Sequence, residues 1–175
     1  MRLFHVSEEA DIAYFEPRIP TREDMDKSQA LVWAIDEAHL PNFLTPRNCP
    51  RVCYHVSKQT TELDRKLYFQ QPDSTYGIVL EKKWEQEMQN TDLYLYEFDS
   101  RNFKLLDAVA GYYVSKHREI PSAVWYVSNP LQALNERQVE VRFVDNLWEA
   151  HDAIMQSSFD WSMCRMKYAQ SSPGK

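Results

Sequence analysis

The chain has 175 residues, a net charge of −6, 43% apolar residues and 26% charged ones, a composition that excludes a disordered protein and fits a globular one. No apolar run approaches the roughly 18 residues that cross a bilayer, and Met1–Glu9 lacks the apolar stretch and cleavage site of a signal peptide. The acidic balance disfavours a surface that tracks nucleic-acid phosphates, and Arg47, Arg51 and Arg65, interrupted by Glu62 and Asp64, read as ordinary surface arginines.

In chain order, Arg2–Val6 reads as a first strand and Ser7-Glu8-Glu9 as the start of a short helix. Phe15–Pro20 is extended, because residues before proline avoid the helical region, and residues 21–29 form a polar loop. Ala30–Ile35 is a short apolar run, the mark of a buried strand, and Asp36 is placed to cap a short helix over Glu37–Leu44. Arg51–Ser57 alternates Val52, Tyr54 and Val56 with Cys53 and His55 and predicts a strand. Residues 58–74 are polar and carry no clear element. Tyr76–Leu80 reads as a strand or the approach to a helix, and Glu81–Asn90 as a helix with Trp84 and Met88 on one side.

Leu93–Phe98, Phe103–Leu106, Gly111–Ser115 and Ala123–Val127 are aromatic and β-branched at short spacing and predict an antiparallel meander. Gln138–Val144 alternates as a strand, Asn146–Gln156 is an amphipathic helix, Ser158–Tyr168 a last helix and Ala169–Lys175 a frayed tail. Strands cluster rather than alternate with helices. The predicted fold class is therefore α+β, with mixed, mainly antiparallel sheets and flanking helices. One domain is expected over residues 1–168, followed by a flexible tail over 169–175.

Three glycines cannot build the clustered turns of a dinucleotide fingerprint, a P-loop or a serine nucleophile elbow. Three cysteines without a signal peptide fit a reducing, cytoplasmic setting. His39, Cys49, Cys53 and His55 lie close in sequence but lack the close pairs of a zinc site, so no metal is expected. Cys53 with His55 and Cys164 with His151 can be drawn as nucleophile pairs, yet neither sits in a recognisable frame, and buried cysteines are the simpler reading.

Two polar features remain. His5 stands between Phe4 and Val6 with Ser7 beyond, either as a satisfied strand residue or as a donor to a ligand hydroxyl. Gln138 and Glu140 are two apart, so on a strand both would face one side, towards a cleft or towards solvent.

Leu3-Phe4-His5-Val6-Ser7, then Ile12 and Phe15-Glu16-Pro17, then Leu31–Asp36 running into a helix, resembles the opening of small ADP-ribosyltransferase-like proteins. Gln138-Val139-Glu140 resembles their third motif. The whole chain also resembles a small bacterial family of no established activity, with Leu31–His55 its most distinctive stretch. The transferase resemblance implies that NAD lies in a cleft between sheets. There His5 and Ser7 would hold the adenine-side ribose, Trp33 and Gln138 would help form the pocket, and Glu140 would be the catalytic carboxylate. Such a carboxylate stabilises the positive charge that builds on ribose as nicotinamide leaves. Tyr76 or Tyr94 would stack on nicotinamide, and Trp33 stands where the family carries its Ser-Thr-Ser or tyrosine. The alternative is a non-catalytic module on the same fold that binds a nucleotide-like ligand or a protein partner through aromatic residues.

Overall fold

The computed structural model describes residues 1–20 and 26–172; residues 21–25, part of the predicted polar loop, and 173–175 of the predicted tail lie outside it. In chain order the strands are β1 (Leu3–Ser7), β2 (Val32–Asp36), β3 (Arg51–His55), β4 (Tyr76–Glu81), β5 (Leu93–Phe98), β6 (Lys104–Asp107), β7 (Tyr112–Ser115), β8 (Ala123–Val127), β9 (Glu140–Val144) and β10 (Asp160–Cys164). The helices are α1 (Glu62–Tyr68), α2 (Glu85–Asn90), α3 (Pro130–Glu136) and α4 (Trp148–Met155). The fold is α+β, as expected. The chain divides into two compact units, Met1–Leu40 with Leu93–Val127 and Pro41–Asp92 with Ser128–Lys175.

The first unit is a six-stranded antiparallel sheet in the order β6-β7-β2-β1-β5-β8. The four late strands therefore do not form the expected meander: only β6 and β7 make a hairpin, and β5 lies between β1 and β8. Register sorts the side chains. Leu3 lies opposite Phe98 and His5 opposite Tyr96, while Ala34 lies opposite Tyr113. Leu3, Val32, Ala34, Tyr96, Phe98 and Phe103 close one apolar cluster on this face, with Ile12 and Phe15 packed over it. Residues 8–20 cross that face as a strap, bridged at Phe15 to Glu119 and at Arg18 to Leu31.

The expected helix after Ser7 does not form. Ser7 Oγ accepts the Glu9 N–H (3.1 Å), a local turn, and Asp11 is left-handed (φ 59°). Tyr96 pins the turn instead, donating to Glu9 O (2.7 Å) and accepting from Ile12 N (3.1 Å). After β2, Asp36 accepts the His39 N–H (2.9 Å), but only a 3₁₀ turn follows, over Leu40–Phe43, because Pro41 breaks the run.

The second unit holds the four helices found among the described residues and a mixed sheet in the order β10-β3-β4-β9, in which β4 and β9 are parallel. Val52, Tyr54, Phe69, Val79, Leu147, Ala150, Ile154 and Phe159 form its apolar cluster. Gly77 lies opposite Tyr54, and a Cβ there would fall within the Tyr54 ring. The predicted last helix is a strand. Trp161 and Met163 alternate towards the cluster, and all five residues of β10 pair with β3 before a 3₁₀ turn over Met166–Tyr168. Hydrogen bonds reach Gln170 at the start of the expected tail. Gln170 N donates to buried Glu81 Oε1 (2.8 Å) and Trp148 Nε1 donates to Gln170 O (2.8 Å).

Candidate ligand-binding site

On the face of the first sheet away from the strap, β2 and β7 carry Trp33 and Val114 side by side, and Lys104 of β6 is the next residue in that row. Alternation along β7 brings Tyr112 to the same face. Its ring meets Trp33 edge-on at 5.6 Å between centroids, a favoured aromatic geometry. These residues form part of the wall of a cavity of about 630 Å³, completed by Gln29, Leu31, Asn102, Lys116 and His117 among others. Ligand pockets for small molecules run from about 300 to 1,000 Å³.

Neighbouring turns place the polar rim. Ser115 Oγ donates to buried Glu119 (2.5 Å) and accepts the His117 N–H (3.1 Å), which fixes the loop carrying Lys116 and His117. Asp107 and Asp26 also line the cavity, but each is engaged by its own backbone. Asp107 Oδ1 accepts from Val109 N (2.9 Å) and Ala110 N (3.0 Å), and Asp26 Oδ1 from Ser28 N (2.8 Å). Hydrogen bonds from Ser28 hold the Asp26 pKa below its ordinary value. Among the described residues no carboxylate pairs with Lys104 or Lys116. The arrangement suits a planar ligand with negative charge: aromatic surface for the plane, two lysines for the anion.

Of the residues singled out in sequence, Trp33 alone lines this cavity. His5 belongs to the opposite face. Its ring rests against Phe15 (4.8 Å), and its Nδ1 donates to Trp33 O (3.0 Å), since a carbonyl only accepts. Burial, with Arg18 nearby adding to it, pushes the His5 pKa down and keeps the ring neutral, against the smaller upward pull of the Trp33 carbonyl. Ser7 Oγ is taken up by the Glu9 turn.

Glu140 and Gln138 lie in the second unit. Glu140 opens β9, and its carboxylate accepts from Gln70 N (2.9 Å) and Gln71 N (2.7 Å). Burial pushes its pKa up, but the bonds from Gln70, Ser74 and Gln71, with Arg142 nearby, outweigh that and leave it lowered. Gln138 is not on the strand. It is left-handed (φ 58°) in the turn that ends α3, where Val139 N reaches Leu134 O (3.1 Å) and Gln138 N reaches Asn135 O (2.9 Å), a Schellman stop. Gln138 and Glu140 therefore do not share a strand face. Of the two stacking candidates, Tyr76 donates to Asn42 Oδ1 (2.7 Å), whereas Tyr94 meets Tyr126 (5.5 Å).

Residues 4–169 match the family of unknown function DUF6886. The chain belongs to that family. DUF6886 carries no assigned activity, and the match gives no link to the ADP-ribosyltransferases. No curated protein and no solved structure matches the chain.

The cysteines take no part in either polar site. All three are free and buried. Burial raises the Cys49 thiol to about 12, and burial together with Cys164 raises Cys53 well above its ordinary value, so neither is a ready nucleophile. Arg51 is buried and bonded to the carbonyls of Asn42 and Cys49, so it belongs to no surface patch. Among the described residues no three metal-ligating side chains gather, and no helix is long and apolar enough to cross a membrane.

Sequence reasoning missed Lys104, Tyr112, Lys116 and His117. The alternation of Tyr112 and Val114 was readable, but the pairing of β7 with β2, which brings Tyr112 to Trp33, is a long-range choice with no local signal.

Proposed function

We propose that this chain binds a small planar anion of the nucleotide class in the Trp33 cavity, as a binding module rather than a transferase. The observation that carries the reading is the Trp33–Tyr112 edge-to-face pair in a cavity of about 630 Å³, flanked by two lysines that make no ion pair among the described residues. An aromatic platform accepts any base by its π-face, and lysines supply the attraction for phosphate.

The groups that an ADP-ribosyl transfer would recruit are committed elsewhere. His5 Nδ1 is spent on Trp33 O, and the Glu140 carboxylate holds the backbone of Gln70 and Gln71. Neither lines the Trp33 cavity.

Calorimetric titration of AMP and of NAD into the purified protein tests the proposal. Saturable binding is expected, weakened about fivefold or more by Trp33→Leu, since base–aromatic stacking contributes roughly 1–3 kcal/mol. Binding should also weaken with salt and with Lys104→Ala. NAD should bind without release of nicotinamide. Failure of both nucleotides to bind, or binding indifferent to Trp33→Leu, would sink the reading. Nicotinamide release abolished by Glu140→Gln would restore the transferase.

A further inference from the structure

The second unit contains a smaller cavity of about 260 Å³, away from the Trp33 site in sequence and in residue content. Its wall includes Tyr54, Tyr68, Gln71, Asn135, Glu140 and Arg142. Glu140 and Arg142 stand two apart on β9 and so share one face. Their Cα atoms are separated by about 6.6 Å of strand rise. No ion pair joins them among the described residues.

Each end of this pair has capacity left. Arg142 makes no hydrogen bond among the described residues, and its Nε is buried without a partner. Glu140 accepts from Gln70 N, Gln71 N and the Ser74 hydroxyl, three of the roughly four positions a carboxylate offers. These bonds hold the carboxylate in place while leaving one position open. The Tyr54 and Tyr68 hydroxyls donate to Tyr68 O (3.1 Å) and Ala153 O (3.4 Å), so they offer the cavity ring surface rather than free donors.

The charges narrow the ligand. A simple anion would meet Arg142 but be repelled by Glu140, and a simple cation the reverse. A small zwitterion is attracted by both. An α-amino acid carries its ammonium and carboxylate on one carbon, so it presents both charges within a cavity of this size. The volume admits a small neutral side chain against the tyrosine rings and the Asn135 amide.

We infer that this cavity is a binding site for a small neutral α-amino acid, with Arg142 holding the carboxylate and Glu140 the ammonium.

The test is an amide NMR titration of the isotope-labelled full chain with glycine, L-alanine, L-serine and L-threonine, beside N-acetyl-L-alanine and L-alanine methyl ester, which each lack one charge. At least one free amino acid should shift the amides of residues 70–71 and 140–142 saturably. Both derivatives should bind about tenfold more weakly or worse, the loss expected for one charged hydrogen bond. Arg142→Met should abolish the shifts, and Arg142→Lys, which keeps the charge but not the fork, should weaken them. If Arg142→Met does not give a folded spectrum, Arg142→Lys and the two derivatives decide. Absence of saturable shifts with all four amino acids overturns the inference. So does N-acetyl-L-alanine binding as tightly as L-alanine, which would mark a plain anion site, or unchanged binding by Arg142→Lys.

Discussion

The first unit covers one face of its sheet with the strap of residues 8–20 and keeps Trp33 and Tyr112 on the other, where a cavity opens. The second unit places α4 and Phe159 against β3 and buries Tyr54 in a closed apolar cluster. The strap is tied by two hydrogen bonds to the Tyr96 hydroxyl, two isolated bridges, a Glu16–Arg118 ion pair and the Phe15 ring, which lies 4.8–5.2 Å from those of His5, Tyr96 and Phe98. The second unit is held by interdigitated rings, with Tyr54, Phe69 and Phe159 each within 5.3 Å of the others. A sheet with one strapped face and one open face suits a binding surface. A sheet packed by a helix and a cluster of rings leaves only a smaller cavity, beside β9.

The largest test of that contrast is Gly77→Ala. The new Cβ would occupy the place of the Tyr54 ring, and displacing a buried aromatic should lower stability by about 3 kcal/mol or more. Chemical denaturation checks it. If the two units unfold separately, the loss will fall on the transition that reports the second unit.

Tyr96→Phe attacks the strap. It leaves Glu9 O and Ile12 N without their partner, for an expected loss of about 1–3 kcal/mol. Hydrogen exchange should rise across residues 8–15 and leave the second unit unchanged.

Acid separates the units further. The folded His5 pKa lies below its ordinary value because burial disfavours the charged ring, so the unfolded chain binds the proton more readily. His5 therefore leaves stability intact above about pH 6.5 and lowers it as pH falls from there towards its folded value, by at most about 1.4 kcal/mol per pH unit. Glu140 and Asp64 in the second unit act lower down. Hydrogen bonds from Ser158 depress Asp64, and those from Gln70, Ser74 and Gln71 overcome burial at Glu140. Their stabilisation is present above the ordinary carboxylate values and is lost as pH falls through the lowered ones. Denaturation at stepped pH should show two regions of loss, and His5→Gln should remove the upper one alone.

The smallest effect has the opposite sign. Gln138 holds a left-handed conformation that glycine adopts freely, so Gln138→Gly should stabilise the α3 stop by about 0.5–1 kcal/mol. Thermal melting of the two proteins side by side would show it.

The same contrast explains what was legible in the sequence. In the first unit, β1, β2 and β5 announce themselves by alternation or an apolar run: β2 and β5 bury most of their length, and β1 buries Leu3 and Phe4. In the second unit, α1 and α3 have seven residues each, too short for a helical period to stand out. Their signals were caps. Thr61 accepts from Asp64 N, and Asn129 accepts from Gln132 N ahead of Pro130 at the first helical position. Asp160–Cys164 was mistaken for helix although Trp161 and Met163 stand two apart, a strand spacing, because five residues are too few for the alternation to stand out. At the site, Trp33 was readable as an aromatic on an early strand, but its partners come from residues 102–117 through sheet order alone.

The central claim is that the open face of the first sheet is the nucleotide site. The most direct measurement is the amide NMR spectrum of the labelled protein with and without AMP. Saturable shifts confined to residues 29–35, 102–107 and 112–117 are predicted. Shifts centred instead on residues 70–71 and 140–142, or no shifts at all, would contradict the claim.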